Sequence, residues 1–309
     1  MKGEYCGVKP NKNFITIRDN EKKIKDLLTD LVIMPRIKAI HWANITKQTP
    51  NLKIGYPGQH LASLITGVEG KRTGARGDDL IDGTEVKSCS RVDQVDKCKD
   101  CNSNVLRIES TCPECGSQNI KRNNDSKWLF TIRSEYELKL LTQDINRILL
   151  IIADYPDFKQ NNFETIRFQA FEIWNNTPRH INFSRLMSNY YYKIFLKHIE
   201  IDPKKTPAPK NFWPYSYQFY LCNPVKVFES IIENANTNPN IKIKLLVDPD
   251  ADRSQLTPEN MPIELLNPDE LKILIDTENR QIVEKQITSG YTIEDLINLL
   301  SKKNLNKQK

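Results

Sequence analysis

The chain has 309 residues, of which 39% are hydrophobic and 27% are charged, and its mean hydropathy is −0.56. This length is about twice that of a typical domain, so the chain can bury a full core, and disordered, collagen-like and coiled-coil proteins are poor fits. The longest clean apolar run, residues 148–153, is far shorter than the roughly 20 residues of a membrane helix. No secretory signal is visible near the N-terminus, so we expect a cytoplasmic protein without a membrane partner.

The net charge of +6 is distributed unevenly along the chain. The segment from Arg36 to Arg76 contains seven Lys or Arg residues and a single acid, Glu69. Such a segment favours a polyanionic partner, although a solvated surface explains one charge run equally well. The segment from Asp248 to Glu278 has nine acids against two basic residues, and we expect it to face away from phosphate.

The pattern of apolar residues predicts both helices and strands, in an order typical of an α/β protein. Predicted helices cover residues 15–33, 58–67, 183–199, 224–234 and 292–302, and another begins at Ser134, which has Glu137 at the capping-box position. Predicted strands cover residues 79–81, 84–89, 127–133, 147–155, 166–174 and 241–247.

Residues 96–120 interrupt this pattern with little apolar content and four cysteines in two CxxC pairs, Cys98 with Cys101 and Cys112 with Cys115. Each pair can chelate from one side, and two such pairs complete a tetrahedral Zn²⁺ site. A redox motif would use one pair beside a βαβ unit, and an iron–sulfur site would need redox partners that the sequence does not contain. We therefore predict a structural zinc site in an inserted segment.

The dipeptide Asp82-Gly83 separates two short runs of apolar or β-branched residues, which predicts a hairpin. On its second strand Glu85 and Lys87 point to the same face, and Asp79 on the first strand can bring another carboxylate to that face. Two acids suit a hard divalent cation such as Mg²⁺, and a lysine beside them can orient water or stabilise charge on phosphorus oxygens.

The Glu-x-Lys triplet alone has little weight, because three other copies occur in the chain, at Glu21, Glu137 and Glu270. Those copies fall on or beside predicted helices, where positions i and i+2 do not face each other. The copy at Glu85 lies on a predicted strand and follows a basic loop in which seven of the eleven glycines occur. A plain surface pair of Glu and Lys is the alternative interpretation.

These motifs resemble the PD-(D/E)xK nucleases and, more narrowly, type II restriction endonucleases of the MamI kind. The resemblance covers residues 55–175 and rests on the run from Gly77 to Cys89 and on the CxxC pairs that follow it. It implies an α/β fold with a restriction-endonuclease-like core, in which helices flank a mixed central β-sheet, together with a zinc-ribbon insertion and a C-terminal α/β lobe. The family's proline before the first acid is absent here. Asp78 stands in its place, so either Asp78 or Asp79 could be the ligand, and we favour Asp79 because it begins the apolar strand.

Carried over to this chain, the resemblance implies that Asp79 and Glu85 are Mg²⁺ ligands, that the Val86 carbonyl is a possible third ligand and that Lys87 is the catalytic lysine. On the preceding helix, Gln59 or His60 could reach the metal-bound water, or could have only a capping or packing role. We expect DNA contacts from Lys71, Arg72, Arg76, Ser88 and Arg91.

The function that this resemblance implies is that of a type II restriction endonuclease, which hydrolyses double-stranded DNA with Mg²⁺ at a specific site within a restriction-modification system. We expect a homodimer, because two-fold symmetry matches palindromic duplexes. The alternatives are a zinc-ribbon DNA-binding protein without catalysis and a structure-specific nuclease of repair or recombination. The expected segments are an N-terminal helical and basic segment (1–54), a nuclease core (55–175) with the insert 96–120, and a C-terminal DNA-binding and dimerisation lobe (176–309).

Overall fold

The fold is taken from a computed structural model that describes residues 8–72, 78–175, 177–276, 291 and 293–306. The helices in these ranges are α1 (Asn20–Leu28), α2 (Met34–Thr46), α3 (Gly55–Thr66), α4 (Glu135–Lys139), α5 (Pro178–Tyr190), α6 (Leu196–Ile201), α7 (Tyr217–Leu221), α8 (Pro268–Ile275) and α9 (Ile293–Asn306). The strands are β1 (Thr84–Ser90), β2 (Asp96–Cys98), β3 (Asn104–Val105), β4 (Ile120–Lys121), β5 (Trp128–Phe130), β6 (Arg147–Asp154), β7 (Ile166–Trp174), β8 (Lys210–Phe212), β9 (Val225–Glu233) and β10 (Asn240–Leu246).

The centre of the molecule is a five-stranded sheet in the order β1-β6-β7-β9-β10. Strands β1 and β6 are parallel, with Thr84 opposite Arg147, and the other neighbouring pairs are antiparallel. All eight residues of β6 are buried, as expected for a strand that is covered on both faces. The predicted mixed α/β fold with a central mixed sheet is confirmed.

Each face of this sheet has its own hydrophobic core, because successive side chains of a strand point to opposite faces. Leu149 and Ile151 of β6 belong to one core, which includes residues of α1 and α3. Leu150 and Ile152 belong to the other, with residues of β5, β8 and α5. The sheet is thus the middle layer of three, and β1 lies at its edge with α3 on one face and β5 near the other.

The predicted hairpin is wrong in its first strand. Within residues 79–81 only Leu80 makes a β-bridge, an isolated one to Gly70, and β1 pairs instead with β6. The physical reason is that this short segment forms a tight turn and not a strand. The N–H groups of Asp79 and Leu80 both donate to the Thr84 carbonyl, at 2.8 and 3.1 Å, and so are not available for a strand ladder.

The helix predicted over residues 224–234 is also wrong, because this segment is strand β9. Its apolar residues have the spacing of a helix face, but Val225, Val227 and Ile232 are β-branched and buried in the sheet. The other predicted segments contain the expected element types, although the strand predicted at 127–133 is reduced to β5 and the helix predicted at 15–33 begins at Asn20.

The central sheet extends beyond the segment predicted to be the nuclease core, since β9 and β10 lie outside residues 55–175. The division of the chain into three segments stays a prediction. Arg36, the first basic residue of the basic segment, is 2% exposed and bound by both oxygens of Asp93, at 2.6 and 2.8 Å. It is therefore a structural ion-pair partner and does not face a polyanion. No helix in the described parts of the chain is long and apolar enough to cross a membrane.

Candidate active site

The site begins at the tight turn that precedes β1. Gly83 has a φ of +83°, and a side-chain carbon at this position would lie 2.9 Å from Asn146 Nδ2. Glycine alone combines that backbone conformation with so close a contact. The turn brings Asp79 back onto β1, where its Oδ2 accepts a hydrogen bond from the Val86 N–H at 2.8 Å.

Helix α3 supports the other oxygen of the same carboxylate. Gly58 packs so tightly against β1 that an added side-chain carbon would lie 2.0 Å from Ser88 Oγ. This close approach allows Gln59 Nε2 to donate to Asp79 Oδ1 at 3.0 Å. Gln59 therefore contacts the acid, whereas His60 is exposed. The prediction that one of them reaches a metal-bound water stays a prediction.

Glu85 and Lys87 share one face of β1, as predicted, and form an ion pair. The side chain of Glu85 is 12% exposed and that of Lys87 is 27% exposed. Burial raises the pKa of Glu85, Lys87 opposes this rise, and the negative charges of Asp79 and Asp78 add to it. At this site two carboxylates, Asp79 and Glu85, lie near one ammonium group, Lys87, an arrangement that suits a further cation.

Asp79, Glu85 and Lys87 line a common cavity of about 230 Å³ beside β5 and α4. The Lys87 ammonium lies 5.8 Å from the ring centroid of Phe130, which forms part of the wall. The remaining lining residues are Leu129, Thr131, Arg133, Glu137, Leu140, Leu141 and Ile145. The cavity therefore combines a charged wall at β1 with a wall of apolar and polar residues at β5 and α4.

Asp78 and Asp79 have different surroundings. Asp78 forms an ion pair with Lys71 at 2.5 Å, whereas Asp79 lines the cavity. This difference favours Asp79 as the acid that faces a bound cation. The Val86 N–H points to Asp79, and because the N–H and C=O of a strand residue point to the same side, the Val86 carbonyl is directed there as well.

The residues predicted to contact DNA lie in different environments. Ser88 is half-buried and packs against α3, on the opposite face of β1 from Glu85 and Lys87. Arg91 donates to the Pro214 carbonyl at 3.2 Å and lies over the Tyr215 ring. Arg72 is exposed, and Arg76 lies outside the described residues.

Sequence reasoning missed Thr131, Arg133 and Glu137 as cavity residues. A signal was available, because Ser134 and Glu137 mark the start of a helix directly after the strand predicted at 127–133. The sequence does not show that this segment lines the cavity, because that depends on the contact between β5 and β1. These strands are about 40 residues apart in the chain.

Four buried charged residues form a series of ion pairs next to the turn that precedes β1. Asp82 pairs with Arg147 at 2.7 Å, Arg147 pairs with Glu172 at 3.0 Å, and Glu172 pairs with Arg253 at 3.2 Å. Arg147 Nε also donates to Thr84 Oγ1 at 2.7 Å, and the carbonyl of Thr84 is the one that fixes Asp79. We call these four residues, Asp82, Arg147, Glu172 and Arg253, the buried charge chain.

The four predicted zinc ligands also come together. The Sγ atoms of Cys98, Cys101, Cys112 and Cys115 all lie within 4.8 Å of one another. The turns match each other, because the residue after each pair has a left-handed backbone, with φ of 63° at Asn102 and 70° at Gly116. Four thiols in two matched turns can hold one tetrahedral ion. This is the one such cluster among the described residues.

A small three-stranded sheet, β3-β2-β4, carries this cluster. Asp96 of β2 is buried and pairs with Arg107 at 2.9 Å and Arg122 at 2.8 Å. The Arg107 guanidinium packs over the Phe163 ring, 4.8 Å from its centroid, and so fastens the insert to the loop after β6. The insert has its own core but is anchored to the central sheet.

Comparison with known proteins identifies the family. The family model described as MamI restriction endonuclease matches residues 41–264, well over half of the chain. The chain belongs to the MamI restriction endonuclease family. The matched residues include both the cavity at Asp79, Glu85 and Lys87 and the four-cysteine insert.

One similar protein is the type II restriction enzyme MamI of Microbacterium ammoniaphilum, which is 36% identical to this chain over 74 residues. The match covers 24% of this chain and 24% of that enzyme, so the chain aligns with only a quarter of the relative's length. No solved structure matches the chain.

Proposed function

We propose that this protein is a type II restriction endonuclease that hydrolyses DNA phosphodiester bonds with Mg²⁺ at a specific duplex site. The observation that carries the proposal is the joint lining of one cavity by Asp79, Glu85 and Lys87 in a member of a restriction endonuclease family. The mixed sheet, with Glu85 and Lys87 on its edge strand and Asp79 in the turn before that strand, supports a PD-(D/E)xK core.

The donor set suits a divalent cation. Asp79 and Glu85 would hold Mg²⁺ through carboxylate oxygens, with the Val86 carbonyl as a third oxygen ligand, and hard cations prefer oxygen ligands of this kind. Burial raises the pKa of Glu85, and the charges of Asp79 and Asp78 add to this rise although Lys87 opposes it. When bound, Mg²⁺ would lower the pKa of a water molecule and neutralise charge on phosphate oxygens.

The chain's own residues have separate roles in this proposal. Gln59, fixed on Asp79 Oδ1, orients that carboxylate. Lys87 orients the attacking water and stabilises the negative charge that develops on the phosphate oxygens, because its ammonium lies in the same cavity. The Phe130 ring, 5.8 Å from the Lys87 ammonium, attracts this cation and helps to hold it at the cavity.

We further propose that the four cysteines hold a structural Zn²⁺. A closed site with four protein ligands has no open position for chemistry, so its role is to stabilise the insert. The measurement is the zinc content of the purified protein with and without Cys112→Ser. We expect one Zn²⁺ per chain and its loss in the variant, and a zinc-free wild type would contradict the proposal.

The catalytic proposal is tested by incubating supercoiled plasmid with Mg²⁺ and either the wild type or Lys87→Ala. We expect discrete bands from the wild type and a loss of about 100-fold to 1,000-fold in rate from the variant, since a stabiliser of transition-state charge is removed. Lys193→Ala replaces an exposed lysine outside the cavity and should cut like the wild type.

The alternatives give different results in the same experiment. Plasmid that stays intact with every divalent cation would favour a DNA-binding protein without catalysis. Cutting of branched substrates alone would favour a repair or recombination nuclease. Lys71, Arg72, Arg76 and Arg91 remain proposed phosphate contacts, and a homodimer remains the proposed assembly on a palindromic site within a restriction-modification system.

A further inference from the structure

The charges around the catalytic cavity are unequal in number. Three carboxylates, those of Asp79, Glu85 and Glu137, and two cations, Lys87 and Arg133, line it. The formal net charge of the lining is therefore negative by one. A bound divalent cation makes it positive by one, and one further negative charge then neutralises it. A phosphodiester group carries one negative charge, so the loaded cavity would match one backbone phosphate.

The two cations of the cavity differ in their partners. Lys87 is already paired with Glu85. Arg133 is exposed, and its side chain makes no ion pair with any carboxylate of the described residues. A guanidinium without a carboxylate partner at the rim of an acidic cavity is available to an anionic ligand.

The backbone at Arg133 is fixed. Glu137 Oε2 accepts the Arg133 N–H at 2.6 Å, and the Glu137 N–H donates to Ser134 Oγ at 3.1 Å. These two hydrogen bonds tie the segment after β5 to the first turn of α4. Glu137 therefore serves to place Arg133, and the start of its side chain has a defined position at the cavity.

The predicted phosphate contacts are less well placed for this cavity. Lys71 is paired with Asp78, and Arg91 donates to the Pro214 carbonyl. Neither residue lines the cavity, and Arg133 does.

We propose that Arg133 is a substrate-binding residue that holds a phosphate of the DNA backbone in the catalytic cavity. This inference rests on the proposed nuclease function. Guanidinium groups bind phosphate oxygens through two parallel N–H donors, which fixes orientation as well as charge. Arg133 thus holds the phosphate on the β5 and α4 side of the cavity, while Asp79 and Glu85 lie on the β1 side.

The first test measures cleavage of supercoiled plasmid with Mg²⁺ by Arg133→Ala, Arg133→Lys and the wild type. We expect Arg133→Ala to lower kcat/KM by about tenfold to 100-fold, the usual effect of losing a hydrogen bond between charged groups. Arg133→Lys should recover part of this loss, because lysine keeps the charge but not the paired donors. Arg185→Ala replaces an exposed arginine of α5 and serves as the matched control.

The second test separates phosphate binding from a structural role. In the slowly cutting Lys87→Ala background, binding of a fluorescent duplex that carries the plasmid cleavage site is measured with Mg²⁺ over a range of salt concentrations. One lost phosphate contact should reduce the slope of log Kd against log salt by about one. Arg185→Ala in the same background should leave the slope unchanged.

The outcomes separate the role of Arg133 from the nuclease function. If the wild type cuts and binds the duplex but Arg133→Ala keeps the wild-type rate and salt slope, Arg133 does not bind phosphate and the nuclease proposal stands. If the wild type neither cuts nor binds DNA, both proposals fail. A reduced rate with an unchanged salt slope would also overturn the role of Arg133, because it would indicate a structural effect.

Discussion

Two glutamates of the central sheet, the half-buried Glu85 on β1 and the buried Glu172 on β7, have opposite pKa shifts. Burial raises the pKa of Glu85, with one lysine against it and two aspartates adding to it. Burial also acts to raise the pKa of Glu172, but the guanidinium groups of Arg147 and Arg253 outweigh it, so this pKa lies below its ordinary value. The side chain of Glu172 is fully buried, and that of Glu85 remains 12% exposed.

The two carboxylates differ in the number of cations and hydrogen-bond donors that contact them. The carboxylate of Glu172 has two cationic neighbours and a Trp174 N–H donor, at 3.0, 3.2 and 2.5 Å. The carboxylate of Glu85 has one cation, two further acids nearby and an opening to solvent. A site that is complete in itself serves stability, whereas a site that lacks a cation and is open can take one from solution. The buried charge chain supports the turn, and the open cluster performs the proposed chemistry.

The largest effect is expected from breaking the buried charge chain. Arg147→Met would leave Asp82 and Glu172 buried without their shared partner, and such losses cost about 3 to 5 kcal/mol. Urea denaturation of the protein without added Mg²⁺ measures this free energy of unfolding. The exposed replacement Arg185→Ala should change it by less than about 0.5 kcal/mol. A stability of Arg147→Met equal to that of the wild type would mean that the chain of ion pairs contributes nothing.

The candidate site could be predicted from the sequence where its geometry is local. Glu85 and Lys87 are two positions apart, and the alternation of a strand alone puts them on one face. The two cysteine pairs are local in the same sense, because each pair closes its own turn. The sequence pattern predicts that Asp79 lies near Glu85 and Lys87, but through a second hairpin strand. In the structure a tight turn brings Asp79 back to β1.

What could not be predicted depends on contacts between distant parts of the chain. Arg147 meets Asp82 only because β6 lies parallel to β1, and Arg253 reaches Glu172 from beyond β10. Sequence periodicity contains no information on which strands become neighbours. The error at β9 has another cause. A short apolar run fits helix and strand spacing alike, and its packing against neighbouring elements determines which one forms.

A smaller effect is expected from the pH dependence of stability. The folded-state pKa of Glu172 lies below the ordinary value of 4.5, so its ionised form favours the folded state. This contribution is fully present above the unfolded-state pKa and is lost as the pH falls through the folded-state pKa. Urea denaturation at decreasing pH should show this loss in the wild type, and the loss should be reduced in Glu172→Gln.

An exposed glutamate provides the control for this experiment. Glu200→Gln should retain the acid-induced loss of the wild type, because its side chain lies at the surface of α6. If Glu172→Gln lost stability in acid as steeply as the wild type, the arginines would not be holding Glu172 ionised. The contrast between the two glutamates would then disappear.

The smallest effect, but the sharpest for the open cluster, is expected from Asp79→Asn. Removing this negative charge relieves repulsion with Glu85, so without Mg²⁺ the variant should be more stable than the wild type by about 0.5 to 1 kcal/mol. The hydrogen bond from the Val86 N–H can persist, because the amide oxygen also accepts it. The contact with Gln59 can persist if the Gln59 amide turns over, so that its oxygen accepts from the new side-chain nitrogen. Mg²⁺ at ten times its Kd should stabilise the wild type by about 1.4 kcal/mol and the variant much less.

Asp78→Asn is the matched control, since it removes a neighbouring carboxylate that is already paired with Lys71. We expect this variant to keep the stabilisation by Mg²⁺, because Asp78 points to Lys71 and Asp79 lines the cavity. If instead Asp78→Asn abolished the stabilisation and Asp79→Asn preserved it, the ligand would be Asp78. The tight turn would then have to open for binding, because the hydrogen bonds that now place Asp79 on β1 would be holding the wrong acid.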